Sequence, residues 1–375
     1  MNAALFGDLF QFIRNGMSVK QDKSGDGLPI SRIETISDGL VNPEKVGFAG
    51  LTVEAAKGWL LEPGDILFSH INSVDHVGKC AVYRGIPGKL VHGMNLLNLR
   101  CDQSKISHEF AKYLIRSPGF RDRLANFINK AVNQASVSIG NLRTIPVTIP
   151  PLPEQRRIAA ILDEADALRA KRREALAQLE SLTQSIFIQM FGDPRRAGST
   201  GNASTKPRLL GELTRIRTGK LDANAADEDG AYPFFTCAVK ALRINTAAFD
   251  CKATLVAGNG DLNVKYYEGK FNAYQRTYVV ESQDENVLVS RFLFAFLDLY
   301  VAELRKQAIG GVIKYIKLPY LTDAVMQVPD VQNQSDFARR LMQVEHIKAA
   351  QVQAAAEADA LFKTLQHRAF AGQLL

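Results

Sequence analysis

A long helical segment in the middle of the chain recurs at the C-terminus, and this repeat constrains the fold more than any other feature. The first copy, PLPEQRRIAAILDEADALRAKRREALAQLESLTQSIFIQMFGDP, spans residues 151–194, and its apolar residues step by three and four as on one face of a helix. These positions are Ile158, Leu162, Ala165, Leu168, Ala175, Leu179, Leu182 and Ile186. The positions 179 residues later are also apolar: Phe337, Leu341, Val344, Ile347, Ala354, Ala358, Leu361 and Leu365.

The residues that flank the two helical segments follow the same shift. It places Ile149-Pro150 on Val328-Pro329, Gln155 on Gln334 and Phe191 on Phe370. Two unrelated amphipathic helices would share a period but not these flanking residues, so the sequence predicts an internal duplication. Pro153 suits a first helical turn, and Gly192 followed by Pro194 ends the first helix. At about 1.5 Å per residue, each helix would be roughly 57 Å long.

Each helix is preceded by a globular segment with the same order of parts. The first segment contains LFGDLFQFIRNG, the strand-like GDILFS, a predicted helix HEFAKYLIRSPGFRDRLANFI, the polar turn NQASVSIGNL and RTIPVTIPP. The second contains LLGELTRIRTG, KATLVAGNGD, the helix SRFLFAFLDLYVAELRK, the turn AIGGVIKYIKL and TDAVMQVPD. The sequence predicts a globular domain over 1–150, a central helix over 151–192, a Gly/Ser/Thr-rich linker over 193–207, a second globular domain over 208–330 and a C-terminal helix over 331–375.

The predicted fold class is α+β, with two globular domains of mixed helix and sheet joined by two long antiparallel helices. The helices would form a coiled-coil spacer, packed through the apolar positions given above, and the repeat would give the chain a pseudo-two-fold character. Two related but divergent globules at a fixed spacing suit a DNA target made of two different halves separated by an unread gap.

Composition sets broad limits on what this chain can be. The 375 residues are 46% hydrophobic, enough for more than one core, and no apolar run is long enough to cross a membrane. The N-terminus MNAALFGDLFQF lacks the pattern of a secretion signal, so a cytoplasmic location is expected. Cys80, Cys101, Cys237 and Cys251 have no zinc-site spacing and are predicted to be reduced. The formal net charge is +7, and most of the excess lies in the globular segments.

The run IPVTIPPLPEQ, the Ser/Gly-rich turn before it and the long helix that ends in FGDP resemble the specificity subunit of type I restriction-modification systems. The resemblance implies that each globule is a target recognition domain that reads one half of a bipartite double-stranded DNA site. It also implies that the helices set the gap and bind two adenine methyltransferase subunits, which use S-adenosylmethionine. Restriction and motor subunits would complete the complex, with Mg and ATP also on partner subunits and no cofactor on this chain. The second copy departs from the pattern, since it has PDVQNQ at 329–334.

Polar residues in loops of both globules are candidate DNA contacts. In the first globule these are His70, Asn72, His76, Lys79, His92, Asn95, Ser136 and Ser138. In the second they are Asn259, Asn263, Lys265, Tyr274, Gln275, Arg276 and Lys314, together with the backbone at Gly310 and Gly311. Arg and Gln suit guanine and adenine edges respectively. The alternatives are ordinary polar loop residues and, for AYQRTYVV, a half-exposed strand.

No catalytic or metal-binding motif is complete in this sequence. The fragment GNG at 258–260 fits a hairpin turn better than a nucleotide loop, and the six histidines show no metal-site spacing. The sequence therefore predicts a non-catalytic subunit. Two alternatives remain: a specificity partner of a combined restriction-methylation enzyme, and a coiled-coil scaffold that does not bind DNA.

Overall fold

The computed structural model describes residues 2–131, 134–196 and 198–374. The chain divides into two compact units, which we call unit 1 (Met1–Lys171 and Ala355–Leu375) and unit 2 (Arg172–Ala354). Asn133 of the predicted polar turn and Ala197 of the predicted linker lie outside the described residues.

Unit 1 combines a globule of strands and short helices with parts of two long helices. The strands are β1 (Asn2–Leu5), β2 (Phe10–Asn15), β3 (Ile30–Ser31), β4 (Val46–Gly47), β5 (Ile66–Ser69), β6 (Ile71–Asn72), β7 (Cys80–Val82), β8 (Leu96–Cys101), β9 (Asn129–Ala131), β10 (Gln134–Ser136) and β11 (Pro146–Ile149). The helices are α1 (Val53–Ala56), α2 (His108–Arg116), α3 (Pro118–Ala125), α4 (Ile139–Arg143) and the first half of α5 (Leu152–Phe191).

In unit 2, as in unit 1, a globule of strands and short helices precedes a long helix, but the strands are arranged differently. These are β12 (Thr205–Leu209), β13 (Thr214–Thr218), β14 (Tyr232–Phe235), β15 (Leu242–Ile244), β16 (Phe249–Ala257), β17 (Val264–Ala273), β18 (Thr277–Ser282) and β19 (Val325–Pro329). Its helices are the second half of α5, α6 (Leu210–Leu213), α7 (Ser290–Gln307), α8 (Leu318–Thr322) and the first part of α9 (Val331–Phe370), which ends in unit 1.

The main sheet of unit 1 is antiparallel, with strand order β2-β8-β5-β7. Strand β5 is buried on both faces: Ile66 and Phe68 lie in the core beneath α2 and α5, whereas Leu67 lies in a second apolar cluster on the opposite face. This double burial explains why GDILFS reads as a continuous apolar run instead of an alternating one. A two-stranded ladder of β1 and β11 connects the N-terminus to the residues that precede α5.

The helix predicted over HEFAKYLIRSPGFRDRLANFI is observed as two helices, α2 and α3. Ser117 separates them with an extended backbone, and its Oγ accepts a hydrogen bond from Phe120 N at 3.3 Å. Pro118 disfavours helical geometry at the preceding residue but suits the first turn of a new helix. The Ser-Pro pair thus ends α2 and begins α3.

The sheet of unit 2 has six strands in the order β13-β18-β16-β17-β14-β15. Most neighbours are antiparallel, and β14 pairs with β17 in parallel. Helix α7 packs on this sheet and buries Phe292, Leu293, Phe296 and Leu297. The ladder of β12 and β19 occupies the place that β1 and β11 occupy in unit 1, directly before a long helix.

The two long helices pair antiparallel within each unit, as predicted. Each is 40 residues long, and they begin and end at positions exactly one repeat apart. In unit 1, Arg169 Nε lies 2.5 Å from Asp359 Oδ1, and in unit 2, Lys348 Nζ lies 3.4 Å from Glu180 Oε1. Arg172 Nη1 donates to Gln351 Oε1 at 2.9 Å, and these positions are equivalent under the repeat. When two copies of a helix pair antiparallel, equivalent positions meet at the midpoint of the pair, as Arg172 and Gln351 do.

The apolar stripe predicted for helix packing is buried only in part. Ile158, Leu162, Phe337, Leu341 and Val344 are buried, and Leu179, Ile186 and Leu365 are half-buried. Contrary to the expectation from sequence, Leu168, Leu182, Ile347 and Leu361 remain 40–49% exposed. The globules cover the apolar positions near the helix ends. Towards the middle, each long helix packs mainly against the other one, and the contact between two helices is narrower than the apolar stripe.

An aromatic cluster joins the globule of unit 2 to its helix pair. Phe292 lies 5.0 Å from Phe191 and 6.4 Å from Phe337 between ring centroids, and its side chain is fully buried. Unit 1 repeats the contact, with Phe110 of α2 lying 5.5 Å from Phe370. Because Phe110 and Phe292 both meet the last residue of a long helix, the same contact holds each globule on its helices.

We expect Phe292→Ala to lower the free energy of unfolding of unit 2 by about 3 to 5 kcal/mol, the usual cost of a cavity left by a buried ring. The measurement is denaturant-dependent hydrogen exchange on peptides from unit 2, which separates its unfolding from that of unit 1. Phe294→Ala is the matched control, since Phe294 lies on the same helix but is half-buried. Equal losses from both substitutions would contradict the role given to the cluster.

Candidate nucleic-acid interface

Three loops of unit 2 meet at one end of the sheet and bring several of the predicted residues together. Gly258 N donates to Arg276 O at 2.8 Å, and Gly260 N donates to Lys314 O at 2.9 Å. Asn259 pairs with Tyr315 in an isolated bridge. The loop after β16, the turn before β18 and the loop after α7 therefore form one connected surface, which we call the loop cluster (residues 258–263, 274–276 and 308–317).

The side chains of the loop cluster differ in how far they are exposed. Arg276 and Lys314 are exposed, and no hydrogen bond from either side chain occurs among the described residues. Lys265, which lies on β17 just after the first of these loops, is half-buried and donates to Thr236 O at 3.3 Å and to Asn263 Oδ1. Burial of its ammonium group lowers the pKa of Lys265. Arg276 and Lys314 are thus available to phosphate, while Lys265 is engaged in the loop structure.

The segment AYQRTYVV divides between a turn and a strand. Tyr274 to Arg276 form the turn, and strand β18 begins at Thr277. Gln275 is exposed and its Nε2 donates to Asp222 Oδ2 at 3.1 Å, whereas Tyr274 is half-buried. The alternation that fits a half-exposed strand belongs to the residues after Arg276, and the candidate contacts lie on the turn before it.

In unit 1, Asn72, His76 and Lys79 line one small cavity of about 210 Å³ together with Ser37 and Ser69. Asn72 Nδ2 donates to Ser69 Oγ at 3.2 Å. Lys79 Nζ donates to Ser37 O at 3.2 Å. The structure therefore brings together three of the predicted residues, Asn72, His76 and Lys79, at a polar concave surface.

One of the predicted turn residues of unit 1, Ser136, lies on a strand that pairs with the strand of Asn72. Strand β10 pairs with β6, so that Ser136 is opposite Ile71 and next to the pair that contains Asn72. Ser138 caps α4, because its Oγ accepts from Asn141 N at 3.1 Å. Asn95 is half-buried and has a left-handed backbone with φ of 74°. Ser138 and Asn95 thus have local structural roles, whereas Ser136 is connected to the cavity residues through the pairing of β10 with β6.

His70 and His92 are core residues. His92 has no exposed surface, and its Nε2 lies 2.9 Å from Leu96 O; His70 is 7% exposed. Burial lowers the pKa of both imidazoles to about 4, so both are neutral at neutral pH. A buried neutral ring cannot reach a base edge or attract a phosphate. Both residues are therefore excluded from the candidate DNA contacts that the sequence predicted.

Other parts of the chain bring to these surfaces residues that no sequence pattern indicates. Arg305, in the last turn of α7, shares a cavity of about 230 Å³ with Lys314, and its Nη2 donates to Leu262 O. Ser37 and Glu34 line the cavity of unit 1. No local motif marks these residues, because they reach the surfaces through the packing of a helix or a distant loop.

The described residues contain neither a metal-binding cluster nor a membrane-spanning helix. Across residues 2–131, 134–196 and 198–374, no group of three or more His, Cys, Asp or Glu side chains could hold a metal ion. None of the described helices combines the length and apolar character that a membrane span requires.

The sequence matches the family described as "Type I restriction modification DNA specificity domain" over residues 5–181 and 204–357. The MjaX type I restriction enzyme specificity subunit of Methanocaldococcus jannaschii is 39% identical over 207 residues, which cover 55% of this chain and 48% of that protein. The EcoDI type I restriction enzyme specificity subunit of Escherichia coli is 46% identical over 144 residues, which cover 37% of this chain and 32% of that protein. The chain thus spans about half the length, or less, of these relatives.

Solved structures share the fold over nearly the whole chain. The S subunit of a type I restriction-modification system from M. genitalium has a TM-score of 0.64 and 14% identity, with 98% of this chain and 96% of that chain covered. A chain from a study of complex assembly in the type I restriction-modification system has a TM-score of 0.57 and 16% identity, with 100% and 98% covered. At such low identity these likenesses establish the fold alone.

Proposed function

Because the chain belongs to the family of type I restriction-modification DNA specificity domains, we propose that it is the non-catalytic DNA sequence-specificity subunit of a type I restriction-modification complex. The observation that carries the proposal is that the family matches twice, over residues 5–181 and 204–357, and that each match contains one globule and part of a long helix. Each globule is a target recognition domain, and together they read a bipartite, asymmetric site in double-stranded DNA.

The loop cluster of unit 2 and the cavity surface of unit 1 are the proposed DNA contacts. Arg276, Gln275 and Lys314 contact the half-site read by unit 2, and Asn72, Lys79 and Ser136 contact the other half-site. Arg276 and Gln275 supply the groups that suit guanine and adenine edges, while Lys314 and Lys79 suit phosphates. Asn259 and Lys265 support the loops from which these side chains project.

In the proposed division of the chain into five segments, with globules over 1–150 and 208–330, the two long helices act as the spacer between the globules. Helices α5 and α9 each have 40 residues and are therefore about 60 Å long. We propose that they fix the unread gap and bind two methyltransferase subunits, which carry S-adenosylmethionine. Restriction and motor subunits that use Mg and ATP join the complex in the cytoplasm.

Two other functions would fit parts of the observations. A specificity partner of a combined restriction-methylation enzyme would use the same DNA-reading surfaces, and the genes beside this one would distinguish it. A scaffold that does not bind DNA would explain the paired helices, but it gives no reason for two copies of a DNA specificity domain.

The salt dependence of DNA binding tests the proposal. The affinity of the assembled complex for duplex DNA should fall steeply with salt, and Lys314→Ala should reduce the slope of log K against log salt by about one. Lys348→Ala is the matched control, because Lys348 lies on α9 and pairs with Glu180. An affinity that does not change with salt would favour the scaffold, and an equal loss of slope in the control would exclude Lys314 as a specific contact.

A further inference from the structure

A buried glutamine stands in the first turn of each long helix. Gln155 of α5 and Gln334 of α9 have no exposed surface, and the repeat relates the two positions. A glutamine amide has two N–H donors and a carbonyl acceptor, so burial without partners would be unfavourable. Both side chains use each of these groups.

The two glutamines make the same three hydrogen bonds. Gln155 Nε2 donates to Lys105 O at 2.8 Å and to Pro150 O at 2.9 Å, while Oε1 accepts from Ser107 N at 3.0 Å. Gln334 Nε2 donates to Val287 O at 2.9 Å and to Pro329 O at 2.8 Å, while Oε1 accepts from Val289 N at 2.8 Å. In both units the proline lies five residues before the glutamine, and the other two partners are two residues apart, although the surrounding sequences differ.

These bonds connect three parts of each unit. Pro150 directly follows β11, and Pro329 is the last residue of β19, so both lie just before a long helix. Ser107 and Val289 are the N-cap residues directly before α2 and α7. One side chain therefore joins the long helix, the strand ladder and the central helix of the globule. Glutamate lacks the two donors, and asparagine is shorter by one methylene group, so no other side chain reproduces this set of bonds.

Helices α2 and α7, the central helices of the two globules, also contact the proposed DNA surfaces. Near the end of α2, Arg116 Nη2 donates to Gly39 O at 2.5 Å and to Cys80 O at 3.0 Å. Gly39 and Cys80 are close in sequence to Ser37 and Lys79, which line the cavity of unit 1. In unit 2, Arg305 near the end of α7 donates to Leu262 O in the loop cluster. A displacement of either central helix would therefore move the surface proposed to contact DNA.

We propose that Gln155 and Gln334 are positioning residues that fix the orientation of each globule on its long helix, and thereby restrict the complex to one gap length between the half-sites. The inference rests on the proposed function. Both side chains are fully buried and do not contact DNA, so the identity of the bases read in each half-site depends on other residues.

The test uses the full chain assembled with its methyltransferase subunits and a set of DNA sites whose gap is the native length or one base pair longer or shorter. The variants are Gln155→Glu, which keeps the size but loses both donors, and Gln155→Met, which loses every polar group. Gln334→Glu repeats the test in unit 2. Gln178→Glu is the matched control, because Gln178 is an exposed glutamine on the same helix α5.

We expect the preference for the native gap over the altered gaps to fall about tenfold in the Gln155 and Gln334 variants, since displacements of about an ångström already disturb a positioned site. The preferred bases in both half-sites should stay unchanged, and the control should behave as the unaltered chain. If the glutamines only stabilised the fold, the substitutions would lower the melting temperature and the total activity without widening the range of gaps that is modified. A folded variant that keeps the native gap preference would overturn the proposal.

Hydrogen exchange on the unaltered chain provides a second measurement, which holds even if a variant does not fold. The amides of Ser107 and Val289 should be protected as strongly as those inside α2 and α7, because each donates to a buried glutamine. Exchange at the rate of exposed loops would overturn the proposal. An unaltered complex that modifies no two-part site would instead overturn the proposed function, so the two failures are distinguishable.

Discussion

A fragment that ends after Pro194 should form a dimer and, with methyltransferase subunits, modify a palindromic DNA site. The fragment keeps the globule of unit 1 and helix α5 but loses Ala355–Leu375, which belong to unit 1. Phe362, Ala369 and Leu374 of the lost segment are buried in the core of unit 1. The single fragment therefore leaves apolar surface uncovered, at about 1.5 to 3 kcal/mol for each large side chain.

The second half of α5 from another copy can replace the missing segment. Under the repeat, Ile186 takes the place of Leu365, and Phe191 takes the place of Phe370 against Phe110. A true two-fold axis would then relate the two copies, and a symmetric protein imposes its symmetry on the DNA target. The site should contain two inverted copies of the half-site that unit 1 reads.

At one position the second half of α5 offers a small side chain where α9 has a large aromatic one, and this difference allows a further test. Thr183 takes the place of Phe362, whose ring lies 6.2 Å from Tyr113 and 4.3 Å from the Arg169 guanidinium carbon. Thr183→Phe should restore these contacts and tighten the fragment dimer. Sedimentation over a range of concentrations measures the pairing, and methylome sequencing identifies the target. A fragment that stays monomeric at high concentration, or a dimer that modifies an asymmetric site, would contradict the expectation.

Replacement of residues 208–327 by the corresponding segment of a relative should change one half of the recognised DNA sequence and leave the other half and the gap unchanged. The exchanged segment contains the loop cluster, whereas the glutamine contacts of unit 1 remain. Each mismatched base pair typically costs about 1 to 3 kcal/mol, so a changed half-site of several bases should make modification of the old target undetectable.

The structure supports the choice of boundaries for this replacement. Arg208 pairs with Met326 and Pro207 with Gln327 across the ladder of β12 and β19, so both ends of the segment lie on paired strands. The graft must keep a large apolar side chain at Phe292, which contacts Phe191 and Phe337 outside the segment. Methylome sequencing of cells that carry the exchanged subunit measures the outcome. Changes in both halves would show that the globules do not act independently.

The sequence alone determined the duplication and the long helices, because these depend on periodic patterns that local physics enforces. Apolar residues at helical spacing must lie on one face, and Gly192 with Pro194 must end a helix. It also placed Gln155 and Gln334 at equivalent positions. Their hydrogen bonds could not be foreseen, since the partners at Lys105 and Val287 lie 50 and 47 residues away along the chain.

Only the tertiary structure decided which polar residues are available to a ligand. His92 and Lys314 both look like polar loop residues in the sequence, yet His92 is fully buried and Lys314 is exposed. It likewise decided which leucines of the long helices pack, because burial of Leu162 depends on the globule that covers the end of α5, whereas Leu168 lies closer to the middle and stays 40% exposed. A periodic pattern specifies the face of a helix, but the elements that cover that face come from distant parts of the chain, and their arrangement follows from packing of the whole unit.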